Sequence, residues 1–366
     1  MLDPKWSGKR QKRLIDEISA VGFDAVVLGC PRHVYYLGAF LTGWLHQSAL
    51  ILFADGRSVM VTANEPATGV AADNVVSYEA QWNSTQRQEQ PMIVAGVVDQ
   101  ALKARRARRV GIDASLVSSQ FALITNASLM PIDPTIDQMR RVKDPDELKL
   151  MKKAIECTVA MYRRAKQIIE PGISELRVYG ELHSVAVETA GEPLTAYLGN
   201  DYRVGCAGGP PRDKTVAKAG QLYILDLGPC YRGYFADNAR TFSVDRKPTD
   251  AQSKAWEAII AVHAMVQGLA KPGVKCRDIW AAVDAHFHEH FGKGQTHHLG
   301  HGVGLQPHEF PHLNPKWDDT LMEGEIFTAE PGAYSDALAG GIRIENQYLV
   351  TAQGVQNLVE FPLDLA

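Results

Sequence analysis

The stretch LYILDLGPCYRGYFADNARTF, Leu222 to Phe242, reads as two strands joined by a short Pro/Gly-bearing turn, because β-branched and aromatic residues flank the punctuation. With the turn centred on Tyr231 and Arg232, antiparallel pairing sets Asp226 opposite Asp237 on one face of the hairpin. Side chains so opposed have Cβ atoms roughly 5 Å apart, and two carboxylates there repel. The run Tyr223-Ile224-Leu225 predicts burial on both faces, where a carboxylate must be protonated, paired or bound to a cation. For either Asp alone, capping a turn or meeting an arginine such as Arg240 is the plainer account. A metal ion is the account that serves both at once. A one-residue bulge at Gly233 would change the register.

The chain has 366 residues, enough for two domains, and a formal net charge of −4. That balance argues against a nucleic-acid partner. The one basic run, Lys103 to Arg109, reads as a solvated helix face. The N-terminus lacks an apolar signal region and no stretch of about 18 apolar residues follows, so neither a leader nor a membrane span is expected and the location is read as cytoplasmic. The five cysteines are scattered singly, which predicts neither a disulfide framework nor a thiolate zinc site.

Residues 1–137 alternate helical and strand patterns: a helix through Lys9–Ala20, a strand Asp24–Gly29, a hairpin around Asp55-Gly56, a helix Val94–Arg106 and a strand at Arg109–Asp113. None of these carries a catalytic constellation. A charged stretch within residues 138–147 reads as a linker. Residues 148–366 follow as an α+β domain. Asp144, Pro145 and Glu147 open a helix with an apolar stripe through Leu148, Met151, Ile155, Val159 and Tyr162; Thr249 and Gln252 form a second capping box. No sustained internal repeat stands out.

Five of the twelve histidines, His297, His298, His301, His308 and His312, fall within HHLGHGVGLQPHEFPHL, whose glycines at 300, 302 and 304 let backbone crowd against a ligand. His298 and His312, taken singly, read as ordinary core or surface histidines. Farther on, Glu330 and Glu345 lie symmetrically about Ala337 and Leu338 and would face each other across another hairpin. Alternation puts Arg343 and Glu345 on one face. Four carboxylates and an imidazole form a ligand set for two hard divalent ions.

Asp226 and Asp237 in D-x-G…G-Y-x-x-D…R-T-F, His301 in G-H-G-V-G-L, His308 in H-E-x-P, Glu330 in E-P-G and Glu345 in I-R-I-E together resemble the metallopeptidases of the pita-bread fold, in the branch of prolidase, aminopeptidase P and creatinase. Tyr36–Phe40 and the RRVKDPDE segment are likewise similar to the creatinase-type N-terminal domain. The resemblance implies a creatinase-like α/β N-terminal domain followed by a pita-bread catalytic domain. It implies that Asp226, Asp237, His301, Glu330 and Glu345 bind two divalent ions, with Asp237 and Glu345 bridging; manganese is the expected metal, with zinc, cobalt or iron as alternatives. Hydroxide held between the ions would attack a peptide carbonyl, Glu330 would carry the proton, His308 and His297 would stabilise the tetrahedral intermediate or orient the substrate, and Arg343 would brace Glu345 or a substrate carboxylate.

The implied activity is that of an Xaa-Pro dipeptidase or Xaa-Pro aminopeptidase, acting as a homodimer on a small peptide. Two positions depart from the family pattern. Gly209 stands where a pocket His is usual, with Arg203 and Arg212 nearby as replacements, and His298 stands where a Gly is usual. The departures leave room for a small amide, amidine or osmolyte substrate, as in creatinase-like and ectoine-hydrolase-like relatives, and a non-catalytic binding protein on the same fold is a further alternative.

Overall fold

The computed structural model describes residues 1–113, 119–196 and 201–365. Contacts divide the chain into two units, residues 1–139 and 140–366. The first is built on a six-stranded mixed sheet in the order Asn74–Tyr78, Ser58–Ala63, Ala49–Phe53, Ala25–Leu28, Arg109–Ile112 and Ser128–Pro131. The Asp55-Gly56 turn closes the expected hairpin, with Leu50 paired to Met60 and Gly56 at φ +87°. Val94, Val98 and Leu102, at helical spacing in Gln90–Ala104, pack on Val27 and Ile51. In the basic run, Arg105 meets Asp55 on the surface.

The second unit repeats one plan twice. Asp144 caps the helix Pro145–Ile168 through a capping box with Glu147, and Pro171-Gly172 separates it from Glu175–Ala190, which ends on Gly191 in the left-handed conformation. Thr249 and Gln252 cap Asp250–Leu269 in the same way, and Pro272-Gly273 leads to Cys276–Phe291, ending on left-handed Gly292. Even the stitching recurs. Gly172 N and Ala217 N bond Ala217 O and Ile173 O, while Gly273 N and Leu321 N bond Leu321 O and Val274 O. The expectation of no internal repeat is therefore corrected. Matching side chains are too few to reveal it, and only the two Pro-Gly pairs, each followed at equal spacing by a helix-ending Gly, preserve its trace.

The first helix pair packs Met161, Tyr162, Val178 and Leu182 against Tyr223, Leu225 and Phe242 of a three-stranded sheet, Asn238–Ser243, Leu222–Leu227 and Asp201–Val204. The second pair packs Ile259, Val262, Ile279 and Val283 against Phe327 and Tyr348 of a five-stranded sheet, Glu309–Leu313, Gly300–Gly302, Ile326–Ala329, Asn346–Thr351 and Gly354–Asn357. Leu148 falls at the half-exposed rim of its helix while Leu150 is buried in its place.

The charged residues around 138–147 are not a solvated tether. Arg140, Arg141 and Lys143 are buried. Arg140 and Lys143 both meet the Glu309 carboxylate, Lys143 Nζ at 2.8 Å, and Arg141 pairs with Glu325. Burial alone would raise Glu309, but the two cations hold it below its usual range. Their partners lie far downstream in the chain, so a local reading of the charges cannot find them.

One buried group sets a pH dependence away from the carboxylates. His263 donates from Nε2 to Ile344 O (3.1 Å) and its Nδ1 meets the Tyr348 hydroxyl (2.9 Å). Burial, assisted by the Arg240 charge, pushes its pKa down to about 3. Between that value and the unfolded value near 6.5 only the unfolded chain takes up the proton, so stability is lost as pH falls through this window. Between about pH 7.5 and about pH 5.5 the wild type should lose about 1.4 kcal/mol relative to His263→Gln, read as the difference between their urea denaturation curves.

Candidate functional site

Hairpin geometry brings the first two carboxylates together, though in a different register from that expected. Asp226 pairs with Ala239 and Leu227 with Asn238, while Cys230 pairs with Phe235 in the same register beyond a short break. The turn is Arg232-Gly233, both at positive φ (48° and 86°), a two-residue turn whose twist suits a hairpin. Asp237 is thus displaced by two residues from the position opposite Asp226. A shift of two preserves the face, and the Asp226 and Asp237 carboxyls hydrogen-bond to each other. Arg240 does not neutralise them. Its guanidinium is buried and donates to the carbonyls of Ala239 and Glu345 (2.8 and 2.7 Å) and to Asn346 Oδ1 (2.8 Å).

The second carboxylate pair follows the expected symmetry. Ile326–Ala329 pairs with Asn346–Leu349, and Gly332–Ser335 with Gly340–Arg343, all in one register, and Glu330 and Glu345 occupy the gap between the two ladders. The two hairpins then meet along a side-chain-mediated seam. Thr241 Oγ1 bonds both Arg343 N and Arg343 O, Glu345 N bonds Ala239 O (2.9 Å), and Asp237 N bonds Gln347 Oε1 (3.1 Å). This alternating contact puts Glu345 beside Asp237.

His301 enters from Gly300–Gly302. A Cβ on Gly300 would strike Thr328 O and one on Gly302 would strike Phe310 O, so glycine is required for this strand to sit against its neighbours. His301 Nδ1 bonds Gly302 O (3.0 Å), which turns Nε2 toward Glu330 Oε1 (3.5 Å) and Asp237 Oδ2 (3.7 Å). Asp237, His301 and Glu345 each present a ligand atom within 4.8 Å of one another.

The electrostatics fit a cation. Both Glu345 oxygens are buried without a hydrogen-bond partner. Burial and the repulsion of Asp237 and Glu330 raise Glu345 well above the carboxylate range; burial and Asp237 do the same to Asp226. Burial pushes Asp237 up to about 6 against the pull of His301. Glu330 behaves oppositely: burial works against its charge, but hydrogen bonds from His298 and His301 hold it down to about 2. The donor set, carboxylate oxygens with one oriented imidazole, is that of a hard divalent ion.

The remaining expected residues surround this cluster. His308 stacks on His301 with ring centroids 3.7 Å apart and one edge open to solvent; burial of its inner face and the neighbouring imidazoles lower it to about 4, so it is neutral at pH 7. His297 uses both ring nitrogens, Nδ1 toward His298 O (2.7 Å) and Nε2 with the Tyr334 hydroxyl (3.0 Å). Arg343 donates to the Tyr334 hydroxyl (3.2 Å), to Asp226 Oδ2 (2.9 Å) and to Asp201. It hydrogen-bonds Asp226 and not Glu345, whose oxygens have no hydrogen-bond partner.

Asp201, Tyr334, Gln347 and His298 were not among the expected site residues. Asp201 and Gln347 carry no local signal. Tyr334 does have one, four residues after Glu330. His298, assigned a plain structural role, bonds Glu330 Oε1 at 2.8 Å; His312 does keep to its own surroundings, paired with Asp319. Arg212 is committed to Glu175 at the start of a helix (2.7 Å). Arg203 instead lies against Gly209, in the space a side chain there would take, bonding Pro210 O (2.9 Å) and Gly208 O (3.3 Å). In the N-terminal unit Cys30, His33 and Asp113 also cluster, but both Asp113 oxygens accept backbone N–H groups of Gly29 and Cys30, anchoring the helix Pro31–Gly38.

The family model for metallopeptidase family M24 matches residues 149–352, and that for the creatinase/prolidase N-terminal domain matches residues 10–142. The chain belongs to metallopeptidase family M24 and is a metal-dependent peptidase of the pita-bread fold behind a creatinase-type N-terminal domain. It is 25% identical to the Xaa-Pro dipeptidase of Pyrococcus horikoshii over 366 residues, 98% of each chain. It is 28% identical to the uncharacterised peptidase YqhT of Bacillus subtilis over 256 residues, 68% of this chain and 70% of that one. The solved Xaa-Pro dipeptidase from Bacillus anthracis has the same fold, with a TM-score of 0.82 at 23% identity, covering 98% of this chain and 99% of that one. Among the described residues no helix is long and apolar enough to cross a membrane, and all five cysteines are free.

Replacing Glu345 separates stability from metal binding. Glu345→Gln removes a buried carboxyl that has no hydrogen-bond partner and that the fold drives toward the protonated form, so the metal-free variant should melt roughly 2–4 °C above metal-free wild type, about 1 kcal/mol. It should also lose the stabilisation expected from an added divalent ion. Calorimetry with and without chelator checks both; a lower melting point in chelator would show that the buried carboxyl does not burden the fold.

Proposed function

We propose that this peptidase cleaves the Xaa-Pro bond of short peptides at a dinuclear centre held by Asp226, Asp237, His301, Glu330 and Glu345, with Asp237 and Glu345 shared between two divalent ions, manganese being the first candidate. The observation that carries this reading is the convergence of four carboxylates, two buried and two largely buried, and one oriented imidazole with too little positive charge among them. The named activity of the Pyrococcus horikoshii relative, an Xaa-Pro dipeptidase matching 98% of the chain, supports the substrate class.

When bound, such ions supply a hydroxide at neutral pH and polarise the carbonyl it attacks. The chain's residues supply the rest. Glu330, ionised by its imidazole neighbours, takes the proton released on attack and returns it to the leaving nitrogen. His308, neutral and open on one edge, donates an N–H to the developing oxyanion. His297 has no ring nitrogen to spare; it holds Tyr334, which with Asp201 fixes the Arg343 guanidinium against Asp226.

Gly209 stands where a pocket His is usual, and Arg203, which fills the space beside it, is bonded to the carbonyls of Gly208 and Pro210, so the substrate itself is the point to test. Manganese-loaded protein should hydrolyse Xaa-Pro dipeptides at least about tenfold faster than small cyclic amidines under equal conditions, with longer Xaa-Pro peptides as the third arm. Turnover of the amidine alone would replace the Xaa-Pro reading with the small-amide one. Asp237→Ala should reduce kcat by at least about a thousandfold with an unchanged circular dichroism spectrum. Wild-type turnover in that variant would remove Asp237 from the centre.

A further inference from the structure

We propose that His298 is itself a metal ligand in this chain, placing a second imidazole on the ion held by His301 and Glu330 and biasing the site toward ions that favour nitrogen donors. The inference rests on the reading that His301 and Glu330 hold metal, and it adds a ligand where the family pattern has a glycine.

Three observations support it. His298 Nε2 already points at the oxygen of Glu330 that faces His301: it lies 2.8 Å from Oε1, and His301 Nε2 lies 3.5 Å from the same atom. An ion with bonds of about 2.0–2.2 Å to two nitrogens and a carboxylate oxygen needs those atoms roughly 3–3.5 Å apart, and both nitrogens lie near that distance from Oε1. The imidazoles are gathered as a set, with His298 ring centroids 5.3 Å from His301 and 5.6 Å from His308, and ligand nitrogens of all three within 4.8 Å of one another. Finally, the backbone holds His298 from behind, because its carbonyl meets Nδ1 of His297 at 2.7 Å and His297 is fixed in turn by Tyr334. A histidine serving only to fill surface would have no reason to aim a nitrogen at a buried carboxylate already shared with another imidazole.

The consequence is selectivity. A centre of carboxylates with one imidazole suits Mn2+, whereas an added imidazole suits Zn2+, Co2+, Ni2+ and Fe2+. Metal-free full-length protein is offered equimolar Mn2+ and Co2+ at limiting protein, and the bound metals are counted by mass spectrometry. His298→Gly and His298→Gln are treated alike, and the visible absorption of the cobalt-loaded proteins is recorded. The expected result is a Co2+ over Mn2+ preference that falls at least about tenfold in both variants, with a changed cobalt spectrum, while the metal-free proteins keep the wild-type circular dichroism spectrum. Unchanged partition and spectrum in both variants would overturn the proposal and leave the five-residue centre standing. Restoration of the wild-type partition by Gln but not Gly would also overturn it, assigning His298 to hydrogen bonding of Glu330. Failure of the wild type to bind either ion would sink the underlying reading itself.

Discussion

Four carboxylates held together largely out of water are the constraint on which the catalytic unit is organised. Isolated from water, like charges at this separation cannot all remain ionised, and Asp226, Asp237 and Glu345 are accordingly driven toward the protonated form. The arrangement persists because it is anchored elsewhere. The seam of Thr241, Ala239 and Asp237 against Arg343, Glu345 and Gln347 fixes the backbone, and the Arg240 guanidinium, spent on carbonyls, binds the strand beneath Glu345 without neutralising it. Two helix pairs on two sheets supply the apolar burial that offsets the electrostatic penalty. A bound cation converts that penalty into binding energy, which couples metal to folding.

Around the carboxylates runs a chain of oriented donors. Asp201 and Asp226 hold Arg343, Arg343 donates to the Tyr334 hydroxyl, Tyr334 meets His297, and His297 meets the His298 carbonyl. Each link sets the direction of the next. Two residues from the first hairpin region are thereby tied to the histidine loop, and Glu309, next to His308, is pinned by Arg140 and Lys143. The site is positioned by hydrogen-bond geometry as much as by the fold of the strands that carry it.

What the sequence disclosed followed from how local each signal was. Capping boxes at Asp144 and Thr249 are short-range chemistry and were legible. The Glu330/Glu345 register was legible because a symmetric hairpin needs only a centre. The first hairpin was read two residues off because Arg232-Gly233, not Tyr231-Arg232, takes the left-handed turn, yet period-two geometry kept Asp237 on its face. Asp201, the seam and the buried Arg140 to Lys143 cluster were out of reach, since each joins segments distant in the chain. His298 was misread because a histidine taken alone is usually structural, and what distinguishes it is the carboxylate it meets.

The duplicated plan also makes the two ends of the centre unequal. Each half contributes a hairpin with a carboxylate pair, but only the second half precedes its hairpin with a histidine loop, while the first is flanked by Arg343. An ion beside Asp226 must share that carboxylate with a buried guanidinium 2.9 Å away, whereas one beside Glu330 meets an acid kept ionised by imidazoles. In the proposed two-ion centre, cationic competition would weaken the first position and nitrogen donors would strengthen the second. On the proposed two-ion reading, the pseudo-symmetric scaffold would give chemically distinct sites, and the residues that break the symmetry, Arg343 and the histidines of the loop, would set how tightly each ion is held.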